Sequence, residues 1–478
     1  MNVADPRLWI TVLLLAPILG AVLALIPYRV ASQAAARSAS LATFVAASAL
    51  LGLRAAGRWG PFFGLDALSN VFLFTVAAIY ATSVWYSSGY LRAVNVAFLS
   101  PQTYYALMSV FALAMLASLL VTDLGLMWIG IEATTIASAL LIVLERKPSS
   151  VEAAWRYTLI ASAGLTIALF ALLLLYEPTG TLDAFALAAH HPAPTLVVQM
   201  AVALALVGYG TKVGLFPMHT WLPDAHSEAP SPVSALFSGV LLPTALYAFL
   251  RVYRVLATPV PVGLSDLALA FGLTTALVAA FLLQRQRSFK RLLAYSSMEV
   301  MGLAVVGIAL GGVALYGALV LLVSHAFAKS AAFYCAGNVL RGTGTTRIES
   351  IRDLRSRMPA TSTAWILAAP AVTGAPPFGT FVGELLIVVG AVAVGADWLA
   401  VLVIVAVLVA FLGLNSQIGA MVFGRGDRPP APVAEGAETG VSFAFLNVGI
   451  ALALGLISLP YLSEALRAAA LLLGGQLP

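Results

Sequence analysis

The chain has 478 residues, of which 61% are hydrophobic and only 9% charged, with a net charge of +5 and a mean hydropathy of +0.99. A soluble surface needs far more charge than this, so a bilayer must solvate the apolar excess, and the small positive balance reads as loop charge rather than nucleic-acid affinity. The one cysteine, Cys335, makes no internal disulfide and ligates no iron–sulfur cluster alone, and no P-loop motif occurs, which argues against ATP-driven transport.

A helix needs about 20 apolar residues to cross the hydrocarbon core. Such runs fall near 8–26, 36–53, 67–89, 103–121, 123–144, 153–176, 195–216, 230–250, 263–283, 292–310, 312–340, 361–391, 397–423 and 441–465. The reading is therefore an all-α integral membrane protein with about fourteen transmembrane helices. The divisions near 121–123 and 310–312 are the narrowest. The first run is too long for the apolar region of a signal peptide, so it is read as a membrane helix. Connections after odd-numbered runs carry most of the cations, among them Arg146, Lys147, Arg285, Arg287, Arg347, Arg352, Arg355, Arg357, Arg425 and Arg428. Those after even-numbered runs carry Arg54, Arg58, Arg251 and Arg254. This bias places the odd connections in the cytoplasm and both termini on the outer side of a bacterial inner membrane.

Ionisable residues inside the runs are costly and mark function by default. Glu132, in the run 123–144, has only apolar or small hydroxyl neighbours within a turn. Its structural alternative is an ion pair with a lysine, and Arg156 is a further candidate to balance it. Lys212 follows in Gly208-Tyr-Gly-Thr-Lys-Val-Gly, beside a break at Gly214-Leu-Phe-Pro217. Proline inside a helix removes a ladder bond, and the alternative for this lysine is snorkelling to a helix end. His219, Asp224, His226 and Glu228 lie in the segment 217–232, whose spacing matches no metal motif and suggests a solvated loop or a proton funnel. Glu299 sits in the run 292–310. His325 and Lys329 lie four apart on one helix face. A second break at Gly374-Ala-Pro376-Pro377-Phe-Gly precedes Glu384. Structural pairing or a single buried hydrogen bond is the alternative for each. An acidic residue followed at similar spacing by a broken helix with a charge occurs twice, which points to one unit used twice around a midplane site.

These residues carry a resemblance. Lys212-Val-Gly-Leu-Phe-Pro-Met-His-Thr-Trp-Leu-Pro-Asp-Ala-His-Ser-Glu-Ala-Pro-Ser-Pro is similar to the signature of the antiporter-like subunits of complex I, Mrp antiporters and group 4 hydrogenases. Leu292-Leu-Ala-Tyr-Ser-Ser-Met-Glu and His325-Ala-Phe-Ala-Lys look like component F of hydrogenase-4, and the resemblance runs from about 65 to 425. It implies two inverted five-helix repeats, at 101–256 and 257–425, flanked by helices in 1–100 and 426–478. It implies proton transfer through Glu132, Lys212, His219, Glu299, His325, Lys329 and Glu384. Gly214, Pro217, Pro376 and Pro377 would shape the breaks. No cofactor and no metal are implied in this chain. The partners implied are other membrane-arm subunits, a peripheral redox module, protons and lipid. Three departures stand out. Pro243 and Val300 replace a lysine and a histidine common in relatives, so His219 or water would connect Lys212 to Lys329. The chain also stops near 478 without a long lateral helix, which sets it apart from the most distal complex I subunit. The function expected is a proton-translocating subunit of a hydrogenase-4 or complex I-like oxidoreductase complex. The alternatives are an Mrp-type Na⁺/H⁺ antiporter subunit, with Thr134, Thr135 and Ser138 helping Glu132 to hold sodium, or the membrane subunit of an inorganic-carbon uptake complex.

Overall fold

The computed structural model describes residues 5–93, 99–144, 147–256, 262–425, 435, 440–457 and 459–474; Arg146 and Arg428 of the loop cations lie outside them. The chain opens with α1 (Pro6–Ala24), α2 (Arg29–Gly52), a hairpin of β1 (Gly57–Trp59) and β2 (Phe63–Leu65), and α3 (Ala67–Ala93). Then come α4 (Pro101–Leu120), α5 (Leu124–Ile142), α6 (Pro148–Thr179) and the short α7 (Ala184–His190). The first broken element is α8 (Leu196–Val213) followed by α9 (Trp221–Glu228). Next, α10 (Ser231–Leu236) continues through a π turn into α11 (Leu242–Tyr253), and α12 (Val262–Leu283), α13 (Phe289–Leu310) and α14 (Gly312–Thr343) follow. A short α15 (Leu354–Arg357) leads to the second broken element, α16 (Pro359–Val372) and α17 (Gly379–Ala393), and then to α18 (Asp397–Phe423), α19 (Val441–Leu456) and α20 (Pro460–Leu472).

Among the described residues, 12 helices are long and apolar enough to cross a membrane, or up to 13 if α19 and α20 count as one bent span. This differs from fourteen straight spans for a local reason: α16 and α17 are the halves of one apolar run divided by its prolines, and each is too short to cross alone. The narrow divisions fall where capping signals stand. Asp123 begins α5 by accepting the Leu126 N–H at 2.9 Å, and Gly311 separates α13 from α14 at φ +68°.

Burial sorts the helices. The element from Ser231 to Tyr253 is wholly inside the bundle, and α3, α13 and α14 are nearly so. By contrast α1, α2, α6, α12 and α18 turn a wide apolar face outward, with Trp398, Val401, Ile404 and Leu408 exposed along α18. Helices in a bilayer gain little from hydrophobic exclusion and pack by close approach instead. Gly302 of α13 meets α12 so closely that a Cβ would lie 2.6 Å from both the Gly272 carbonyl oxygen and the Ala276 nitrogen.

Both breaks use a glycine in the left-handed region, Gly214 at φ +85° and Gly374 at φ +66°, shortly before proline. The segment 217–232 corrects the reading of a solvated loop. It forms one 3-10 turn, α9 and the start of α10, with Trp221 and His226 fully buried and His219 nearly so. Its histidines pack inward, whereas Asp224 and Glu228 stay partly exposed at a cavity and are held by partners from other helices. Arg156 donates to Asp224 at 3.2 Å, Arg291 pairs with the same carboxylate, and Ser149 donates to Glu228 at 2.9 Å. The Lys290 ammonium caps the far end of α9 by donating to the Ala229 carbonyl at 2.5 Å.

Candidate proton-transfer site

Two clusters of buried charge occupy the bundle interior. The first joins α5, α6 and α8. Lys212, on the last turn of α8, is fully buried and donates to Thr135 Oγ1 at 2.7 Å and to the Tyr157 hydroxyl at 2.6 Å. Glu132 lies near enough to act on it electrostatically. One Glu132 oxygen accepts from Ser162 at 2.6 Å, and the other is buried without a hydrogen-bond partner among the described residues. Arg156 does not balance Glu132, contrary to the alternative raised from the sequence: it lies at the protein surface on Asp224 and Glu152.

The second cluster joins α13, α14 and α17. Lys329 is fully buried, donates to the Leu293 carbonyl at 2.6 Å and also donates to Ser296 Oγ. Glu299 acts on Lys329, and Glu384 in turn feels Glu299. His325 sits on the Lys329 face with neither ring nitrogen hydrogen-bonded to a side chain, and it feels both Lys329 and His226. Glu384 has neither oxygen hydrogen-bonded and lies directly over the bare Cα of Gly374, inside the second helix break. Only glycine leaves that space.

The zone between the clusters is aromatic and hydroxylic. Phe237 lies 5.9 Å from the Tyr157 ring and 5.6 Å from the His226 ring, centroid to centroid. His226 Nδ1–H donates to the Leu222 carbonyl at 2.8 Å, Nε2 has no partner among the described residues, and the ring feels Lys329 and Lys290. Ser238, in the π turn after α10, and Ser297 of α13 meet at 2.6 Å. His219 stacks on Phe216 at 5.6 Å, whereas His226 of the same segment lies near enough to Lys329 to feel its charge. No group of three or more His, Cys, Asp or Glu residues able to hold a metal ion occurs among the described residues. Thus Glu132 and Lys212 come together, as do Glu299, His325, Lys329 and Glu384.

The profile of the family described as NADH:quinone oxidoreductase/Mrp antiporter, TM, matches residues 121–410, more than half of the chain. The chain belongs to this family. As an antiporter-like membrane subunit it is 33% identical over 389 residues to a hydrogenase-4 component F homolog of Methylacidiphilum infernorum, covering 78% of this chain and 81% of that one. It is 31% identical over 422 residues to NADH-quinone oxidoreductase subunit N of Desulforudis audaxviator, covering 85% and 83%. A subunit of respiratory complex I from Thermus thermophilus superposes with a TM-score of 0.84 at 25% identity, over 98% of this chain and 100% of that chain. A subunit of the Mrp complex from Dietzia sp. shares the fold with a TM-score of 0.86 at 22% identity, over 98% and 97%.

Several members of the antiporter-like site carry no signal in sequence. Tyr157, Ser162 and Ser296 are ordinary hydroxyl residues in apolar helices, and nothing in their spacing separates them from packing residues; Thr135 is legible only as a candidate sodium ligand. Only their hydrogen bonds to Lys212, Glu132 and Lys329 single them out.

Proposed function

We propose that this antiporter-like subunit moves protons across the membrane within a hydrogenase-4 or complex I-like assembly, handing them between the Glu132–Lys212 cluster and the Lys329–Glu299–Glu384 cluster. The observation that carries this reading is the grouping itself: four buried ionisable side chains, Lys212, Glu299, Lys329 and Glu384, with partly buried Glu132 beside Lys212, near enough within each cluster to act on one another. Burial works against a charged form and a neighbouring opposite charge works for it. Two unit charges ~7 Å apart interact by about 2–3 kcal/mol at an effective dielectric near 20, more than one pKa unit. A proton arriving on one member of a cluster therefore changes the occupancy of its neighbours in that cluster.

On this reading 101–256 and 257–425 act as two inverted repeats, and the arginine-rich face is the cytoplasmic one in a bacterial inner membrane. The redox chemistry belongs to partner subunits. The sodium alternative loses support from the hydroxyls it requires. Thr135 already accepts from the Lys212 ammonium, whose positive charge opposes a second cation there.

The test uses the assembled complex, purified through a tag on this chain and reconstituted into liposomes, with proton flux driven by an imposed potassium diffusion potential. Lys212→Met and Glu132→Gln should abolish flux while leaving subunit content intact. Flux at the normal rate in Lys212→Met rejects the proposal, and flux that requires sodium favours the Mrp-type alternative.

A further inference from the structure

Tyr157 accepts from Lys212 and lies one helical turn beyond the α6 residues that line a cavity. The cavity, of about 530 Å³, opens on the face that carries the 284–289 and 343–358 connections, with exposed Lys147, Ser149 and Glu152 at its mouth. Its floor includes buried Ala153 of α6 and Ala229 after α9. Ala153 is four residues before Tyr157, so floor and phenol share one helix face about 6 Å apart along the axis. The phenol itself is fully buried. Its ring is held by Trp221 at 4.7 Å between centroids, and Trp221 is fixed in turn by donating to the Thr211 carbonyl at 2.8 Å.

The hydrogen-bond directions around this phenol are determined by counting hydrogens. An ammonium only donates, and each hydroxyl has one hydrogen to give. Lys212 donates to the Tyr157 oxygen at 2.6 Å. Ser138 gives its hydrogen to the Thr134 carbonyl at 2.5 Å. The 2.8 Å contact between Tyr157 and Ser138 must therefore run from the phenol O–H to Ser138 Oγ. Every hydrogen in the string Lys212, Tyr157, Ser138 points away from the lysine.

We infer that the Tyr157 hydroxyl, with Ser138, is a proton gate between this cavity and Lys212; the inference rests on Lys212 being a proton carrier. When Lys212 is a neutral amine, its lone pair attracts the phenol O–H, which turns from Ser138 toward the nitrogen. A proton from the cavity, carried past its floor by intervening water, then adds to Ser138 Oγ, which is buried behind the lining. A hydrogen passes from Ser138 to the Tyr157 oxygen, and the phenol releases its own hydrogen to the Lys212 nitrogen. One proton enters at Ser138, one appears on the amine, and both oxygens keep a single hydrogen. The arrangement left behind is the one in the structure, with the phenol O–H again on Ser138. While the ammonium stays, its N–H occupies the phenol oxygen and no second proton follows. The gate resets only when Lys212 passes its proton on.

The experiment uses the same reconstituted complex and potassium-driven proton flux, measured in H₂O and in D₂O, with subunit content checked for every variant. Tyr157→Phe keeps the ring and its packing and removes the hydroxyl. We expect flux to fall by about 100-fold, the lower end of what a positioned proton-transfer group contributes, with a solvent isotope effect larger than in the wild type because the proton step becomes limiting. Ser138→Ala leaves the phenol in place and should lower flux the same way, and the double variant should be no slower than Tyr157→Phe alone. A merely structural role changes the amount of assembled complex and leaves the isotope effect alone. Flux and isotope effect at wild-type values in both single variants, with Lys212→Met inactive, overturn the gate. Wild-type flux in Lys212→Met instead overturns the proton-carrier reading beneath it.

Discussion

Gly374 should be as sensitive to substitution as any charged residue of the second cluster. A Cβ added there would lie 1.6 Å from one Glu384 oxygen, 2.3 Å from its carboxyl carbon and 2.6 Å from the other oxygen, so the whole carboxyl group has to leave. The backbone adds a second cost, since φ is +66° and the left-handed region costs a non-glycine residue roughly 1–2 kcal/mol. Gly374→Ala should therefore destabilise the subunit by more than this backbone term and displace Glu384 from beside Glu299. The assay pairs thermal unfolding in detergent with proton flux in liposomes, in a double-mutant cycle with Glu384→Ala. In the Glu384→Ala background the carboxylate is gone, so Gly374→Ala should cost only the backbone term of about 1–2 kcal/mol. In the native background the cost should be larger and the flux should fall to that of Glu384→Gln. Equal costs in both backgrounds, or normal flux in Gly374→Ala, would refute the placement of Glu384 in the helix break.

Two further outcomes are expected. Asp66 stands before α3 and accepts from Arg251 at 2.5 and 2.7 Å and from Arg254 at 3.3 Å. Burial pushes its carboxyl up, but Arg251, the Ser69 backbone N–H and Arg254 outweigh this and hold it at about 2, against an ordinary 3.8. A depressed carboxyl contributes stability above its unfolded value that is lost as pH falls toward the folded one. About 2.5 kcal/mol should thus disappear between about pH 4 and pH 2. Unfolding of Asp66→Asn in detergent should show no such loss over that window and a penalty at neutral pH of about 3–5 kcal/mol, because Arg251 is left buried without its partner. Ser296→Ala removes one of the two acceptors on the Lys329 ammonium and should cost about 1–3 kcal/mol, more than Ser297→Ala, whose bond to Ser238 is between neutral groups; thermal unfolding of the two variants side by side decides it.

The residues legible in the sequence were those whose chemistry conflicts with their surroundings. Glu132, Lys212, Glu299, Lys329 and Glu384 stand out because a charge in an apolar run has a cost that only pairing, water or function offsets. The breaks at Gly214–Pro217 and Gly374–Pro377 were legible because proline and glycine act locally on the backbone. The segment 217–232 misled for the opposite reason. Its histidines look solvated when only neighbours in sequence are counted, yet His226 is fully buried and His219 nearly so, while Asp224 and Glu228 stay partly exposed and are held by Arg156, Arg291 and Ser149.

The sequence by itself determined that this is a helical membrane protein with buried charges beside two broken helices, because hydropathy and backbone breaks are properties of contiguous residues. Which charges meet, which hydroxyls serve them, and which histidine stands beside Lys329 were decided only by tertiary packing. Serine, threonine and tyrosine are common in membrane helices, and their roles depend on the direction of a hydrogen bond to another helix. That direction depends on how the helices are rotated against one another, which no stretch of sequence specifies alone.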